Sequence, residues 1–228
     1  MSAYFNDKSF KFLRALARHN ERAWFLAHKA EYETSVREPF LRLLGDLQPA
    51  LAAISGHYRA EPKTVGGSLF RIHRDTRYSS DKTPYKNWQG ARLFHARSRQ
   101  VEAPSFYIHL QPGESFVAGG IWHPSTPALR RIRQFIVDNP GGWQAAAHAP
   151  AFRRRYDMES GEMLVRNPPG FPADFRFIDD LRHKNFVAIR PIDDAGMTGP
   201  RLRTTLEKDL QALAPLVDYL CAALDLEF

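Results

Sequence analysis

The strongest constraint on the fold lies between Ser105 and Trp122. From Phe106 to Gln111 the apolar residues Phe106, Ile108 and Leu110 alternate with Tyr107, His109 and Gln111. A period of two is that of a strand with one face in a core and one polar face. Pro112-Gly113 then turns the chain, and Ser115 to Trp122 runs back, so the spacing predicts an antiparallel hairpin. Other strand-like runs flank it at Leu69 to Ile72, Ala91 to His95, Glu162 to Val165 and Phe186 to Ile192.

Both ends of the chain have the helical period instead. Phe10, Leu13 and Ala17 follow Ser9, an expected N-cap, and Asn20 is an expected cap for a helix through Trp24, Phe25, His28, Tyr32 and Val36. Pro39 restarts a stripe from Phe40 to Ile54, which Pro49 is expected to kink or split. Leu202, Leu206, Leu210, Leu213, Val217, Leu220 and Leu224 form a C-terminal stripe that Pro215 should bend. Shorter helical segments are expected after Pro127, around Trp143 and near Phe177 to Arg182. Helices at the ends and strands in the middle, without strand–helix alternation, predict an α+β fold with a mostly antiparallel sheet. The expected organisation is one domain over 1–228, with a helical region at 1–60, a sheet-rich centre at 66–192 and a C-terminal helix at 198–226.

The stretch FRIHRDTRYSSDKTPYKN, residues 70–87, carries Arg71, Arg74, Arg77, Lys82 and Lys86 against only Asp75 and Asp81. Pro84 forbids a helix directly after it and pushes Thr83 to extended geometry. The block therefore reads as a loop leaving a strand end, where binding residues commonly sit. Arginine pairs bidentately with phosphate or carboxylate, lysine adds point charge, and Tyr78, Tyr85 and Trp88 offer rings for stacking. The expected ligand-binding residues are Arg71, Arg74, Arg77, Lys82, Tyr85 and Lys86. The structural alternative is an ion-pair lock that fixes the loop. The excess of cations argues against it, because unpaired buried charge is costly.

Three functions are compatible with such a block. The first is binding of a small phosphorylated or carboxylated anion. The second is an enzyme acting on an anionic substrate, with Asp75, Asp81 or His109 moving protons. The third is single-stranded nucleic-acid binding, which cations interleaved with aromatics suit and the acids in the loop oppose. The formal charge of +7 biases all three towards anions without choosing among them.

His73, His95, His109 and His123 lie on or near expected strands, but their spacing is not that of a metal motif, and no metal site is expected. Gly119-Gly120, inside a strand, implies a bulge or a close approach by backbone or ligand. The Arg130–Arg133 and Arg153–Arg155 clusters read as solvated faces. The lone Cys221 excludes an intrachain disulfide and reads as a small buried hydrophobe. No apolar run is of signal-peptide or membrane-spanning length, so a cytoplasmic protein without a membrane partner is expected. There is no P-loop, dinucleotide fingerprint, nucleophile elbow or His-Glu-x-x-His helix. Cofactor and oligomeric state are left open.

The block RDTRYSSDKTPYKN at Arg74–Asn87 resembles the signature of the domain-of-unknown-function 2461 family. Asn20-Glu-Arg-Ala-Trp24-Phe25 with His28-Lys29 and Tyr32 resembles that family's N-terminal helical motif. Phe106 to Leu110 and Gly119 to Pro124 resemble its central strands. Gly161, Leu164 and the Pro168–Phe171 turn also fit, although Pro169 stands where the pattern suggests a basic residue. The resemblance spans nearly the whole chain. It implies a single-domain protein and brings no activity with it.

Overall fold

The computed structural model describes residues 3–228, so Met1 and Ser2 of the expected helical region lie outside it. Helix α1 (Asp7–Arg18) opens on a capping box in which Asn6, three residues before the expected cap, is the N-cap and Ser9 is the reciprocal partner. The expected helix from Asn20 to Val36 is broken at His28 into α2 (Arg22–Ala27) and α3 (Lys29–Tyr32). A π-turn at Glu33–Arg37 then feeds α4 (Glu38–Ile54). Helix α4 runs unbroken through Pro49. Burial of Phe40, Leu43, Leu44, Leu47 and Leu51 outweighs the single hydrogen bond that proline removes. Likewise α9 (Leu202–Ala223) continues through Pro215.

Six strands form one antiparallel sheet in the order β1-β2-β3-β4-β6-β5. They are β1 (Tyr58–Arg59), β2 (Gln89–His95), β3 (Ser105–Leu110), β4 (Phe116–Ile121), β5 (Asp157–Met158) and β6 (Phe186–Pro191). The fold is α+β, as the end-helix and middle-strand pattern requires. The β3–β4 hairpin pairs Ile108 with Val117 and Phe106 with Gly119. Between β4 and β6 lie α5 (Thr126–Asp138), α6 (Pro140–Ala147) and α7 (Pro150–Arg153). The short α8 (Asp194–Thr198) precedes α9.

Ala91, Leu93, Phe106, Ile108, Val117 and Ala188 belong to one buried cluster with the α4 and α9 leucines. Helix α9 crosses β4 at Gly119, where an added Cβ would lie 3.1 Å from Leu213 and 3.3 Å from Val217. The glycine pair is thus a close-approach site. No bulge forms, since β4 pairs residue for residue with both neighbours.

Two expected strands are reduced to single bridges. Leu69 bridges Ala91 on the β2 edge, but the next contact, His73 with Tyr85, belongs to a separate fold-back. Pro84 has no N–H with which to extend that ladder. Met163 bridges His183 alone. Near Phe177 to Arg182 the regular structure is one 3-10 turn, Asp180–Arg182. Among the described residues, no helix is long and apolar enough to cross a membrane.

Candidate functional site

The Arg-rich block doubles back on itself. Arg74 donates its backbone N–H to the Pro84 carbonyl at 2.9 Å, and Lys86 donates to that of Ile72 at 2.8 Å. Asn20 clamps the returning arm, its amide bonding both the Tyr85 carbonyl (2.9 Å) and the Tyr85 N–H (3.0 Å). The Tyr85 ring stacks on Phe25 with centroids 4.1 Å apart. These contacts fix the loop to the N-terminal helices through ordinary packing and paired backbone groups.

Both acids of the loop are taken by arginines. Asp75 accepts from Arg77 Nε and Nη2 at 2.9 and 2.7 Å, and from the Arg77 backbone N–H. Asp81 pairs with Arg74 and accepts from the Thr83 N–H (2.9 Å) and hydroxyl (2.8 Å). The donors from Arg77 hold Asp75 below the usual carboxylate range. Those from Thr83 and Arg74 lower Asp81 to about 2. Groups this acidic stay ionised and are weak bases.

Among the described residues, the remaining cations have no carboxylate partner. Lys82 donates to the Thr76 carbonyl (2.9 Å) and Lys86 to the Arg71 carbonyl (2.9 Å). The Lys86 ammonium also lies 4.8 Å from the Trp88 ring centre and 5.5 Å from that of Phe70. Burial, followed by Arg71 and Arg74, lowers its pKa. The Arg71 side chain has no hydrogen-bonding acceptor among the described residues. Besides burial, His73 is held below its ordinary pKa by Arg71, Arg22, Lys29 and Lys86. Arg22 and Lys29 come from α2 and α3, so the positive surface is wider than the loop.

Beside this arrangement is an open cavity of about 560 Å³, bounded by Asn20, Arg74, Asp81, Thr83, Lys86 and Trp88. Of the expected residues, Arg74, Asp75, Asp81, Tyr85 and Lys86 reach its wall, whereas Arg71, Arg77 and Lys82 do not. Tyr85 is only 3% exposed, which makes it an anchor of the wall. Of the expected ligand-binding residues, Arg74 and Arg77 are matched by Asp81 and Asp75. The sequence reading missed Asn20 as a clamp, and Arg22 and Lys29 as contributors to the field. Their signal was the Asn-Glu-Arg motif ahead of Trp24 and the lysine after His28.

His109 sits apart, on the sheet face beneath Trp88, with ring centroids 4.8 Å apart. Its Nδ1 meets the Tyr107 hydroxyl at 3.0 Å and its Nε2 meets Gln111 Oε1 at 2.9 Å. Burial lowers its pKa below 6.5. The unfolded chain therefore binds a proton that the folded chain refuses, and stability should fall as pH drops below 6.5. In urea titrations, His109→Gln is expected to lose less stability between neutral and mildly acidic pH than the parent. His95, His123 and His73 have other neighbours, and among the described residues no three His, Cys, Asp or Glu are grouped to hold a metal.

The family model described as "Conserved hypothetical protein (DUF2461)" matches residues 8–219. The chain belongs to the DUF2461 family. The match takes in the Asn20 clamp, the Arg-rich loop and the β3–β4 hairpin, so the candidate site of this DUF2461 protein lies wholly within the family region. No curated protein and no solved structure matches the chain.

Proposed function

We propose that the fold-back loop of this DUF2461 protein binds a small phosphorylated or carboxylated anion, with Lys86 as its main electrostatic contact, Arg71 adding positive field from outside the cavity wall, and Trp88 as the adjoining ring. One observation carries the reading: both acids of the loop are consumed by Arg74 and Arg77, so the surplus charge is left on Arg71, Lys82 and Lys86. The two ion pairs then have a positioning role. They hold the loop in the shape that leaves Lys86 at an open cavity. An incoming oxyanion would take up unused donors of Lys86 as charge-assisted hydrogen bonds, in the added field of Arg71. Binding is preferred over proton transfer because Asp75, Asp81 and both ring nitrogens of His109 already have partners.

Thermal-shift titration with pyrophosphate, citrate and AMP tests this. A ligand at a hundredfold excess over its Kd should stabilise the chain by about 2.7 kcal/mol. Lys86→Ala should weaken the effect about tenfold, as expected for a lost charged hydrogen bond, and Arg71→Ala, which removes field only, should weaken it less. No stabilisation by any of the three, or stabilisation unchanged in both variants, removes the reading.

A second reading rests on Tyr78, which is 93% exposed with the Arg77 guanidinium 5.7 Å from its ring centre. Such a pair suits stacking of a single-stranded base. A steep loss of oligonucleotide affinity with added salt would favour it over the small anion.

A further inference from the structure

The face of the sheet turned away from α9 contains a second cavity, separate from the loop. In β2, Ala91 and Leu93 are fully buried towards the helices, and Arg92 between them projects to the other face, where it pairs across the sheet with Tyr107. Arg92 has no hydrogen-bonding acceptor among the described residues. It lines an open cavity of about 370 Å³ together with Arg99 and Trp122. Neighbouring protein desolvates its guanidinium and lowers its pKa, although the side chain still reaches solvent.

The surrounding groups sharpen the chemistry. Arg99 donates to the Gly66 carbonyl at 3.2 Å and has no carboxylate partner among the described residues. Glu102 is the one acid on the wall, and its two oxygens already accept from the Ser125 N–H and hydroxyl. It therefore braces Ser125, the N-cap of α5, and is not paired with Arg92. Trp122 is a large apolar side chain left 56% exposed. It precedes His123, whose backbone has a φ of 48° and whose N–H is pinned to the fully buried Asn185 at 2.8 Å. A non-glycine residue held in that conformation is costly, and such sites cluster where a ligand is held. The volume lies within the range of small-ligand pockets.

We infer that Arg92, Arg99 and Trp122 form a second ligand site, for a small organic oxyanion that carries a flat ring. Arg92 forks the oxyanion, Arg99 adds charge, and the indole of Trp122 covers the ring. This site is independent of the one proposed for the loop.

Amide and indole NMR of the full chain tests it, with phenyl phosphate and benzoate as probes and inorganic phosphate as the control without a ring. The Trp122 indole and Arg92 Nε signals should shift saturably with at least one ringed probe, and that probe should bind more tightly than inorganic phosphate. Arg92→Gln should weaken it about tenfold or more. Trp122→Ala, at an exposed position, should keep the fold and abolish the preference for a ring. Lys86→Ala should leave this site unchanged while weakening the loop site, so failure of one is distinguishable from failure of the other. No saturable shift of Trp122 up to the solubility limit of both ringed probes overturns the inference, and so does equal affinity in Arg92→Gln. Joint shifts of Trp122 and Trp88 with oligothymidylate, lost steeply with salt, would overturn the small-ligand assignment in favour of a strand.

Discussion

Asp209→Ala is expected to destabilise the fold by about 3–5 kcal/mol, the usual cost of removing one member of a buried charge network. Asp209 is fully buried on α9, beside Leu206 and Leu210. It accepts from Arg155 Nη2 at 2.8 Å, from the Tyr156 hydroxyl at 2.7 Å and from Arg190 Nε at 2.9 Å, with a further contact to Arg190 Nη2. One carboxylate thus ties α9 to β6 and to the chain that follows α7. Without it, the Arg190 side chain, 19% accessible, loses both bonds that satisfy its Nε and Nη2. The Tyr156 hydroxyl loses its acceptor in the core. Urea unfolding of the variant should show a lower midpoint with an unchanged slope. Asp209→Asn should fall between, because an amide oxygen still accepts while the charge is gone. Pairing Asp209→Leu with Arg190→Met should cost less than Asp209→Ala alone, since no buried ion is then left unpaired. A loss below about 1 kcal/mol in Asp209→Ala would show that water reaches these arginines and that the network does not hold the helix.

How far the sequence reveals this depends on whether the cause is local. The alternation from Phe106 to Leu110 and the Pro112-Gly113 turn are local, and the hairpin forms where they require it. The leucine periods of α4 and α9 are local too, and they prevail over the prolines inside them. Strands β1 and β5, two residues each, are too short to show any period and exist only because β2 and β6 offer an edge. Asp209 reads in sequence as one more polar gap in a leucine stripe. Its meaning comes from Arg190 and Arg155, which only the fold brings near. The site divides in the same way. The excess of cations over acids in residues 70–88 can be counted. Which cations remain unmatched cannot, because that is decided by a fold-back closed through Asn20, sixty-five residues from Tyr85. The Arg92 cavity had no sequence signal beyond a charged residue on the outer face of a strand. Single outward arginines are common, and only the lack of an acceptor beside an exposed tryptophan distinguishes this one.

Gly120→Ala is expected to cost about 3 kcal/mol or more, by two independent routes. Gly120 has a φ of 140°, a backbone region closed to residues with a side chain. A Cβ at this position would also fall on the Phe186 carbonyl oxygen and within 2.8 Å of the Val187 Cα. Both atoms belong to β6, which pairs with β4 through Gly120 and Val187. Relief therefore requires the two strands to part, and flexible side chains nearby cannot supply it. Gly119→Ala next door tests the distinction. Its φ is ordinary, and its nearest obstacles are the Leu213 and Val217 side chains at 3.1 Å and beyond, so it should cost distinctly less. If the two alanines prove equally mild, β4 and β6 slide apart readily at this end. If Gly119→Ala is the worse, contact with α9 and not backbone geometry limits this stretch. Hydrogen exchange separates these cases, because strand separation in Gly120→Ala should deprotect the Val187 amide while leaving the α9 amides protected.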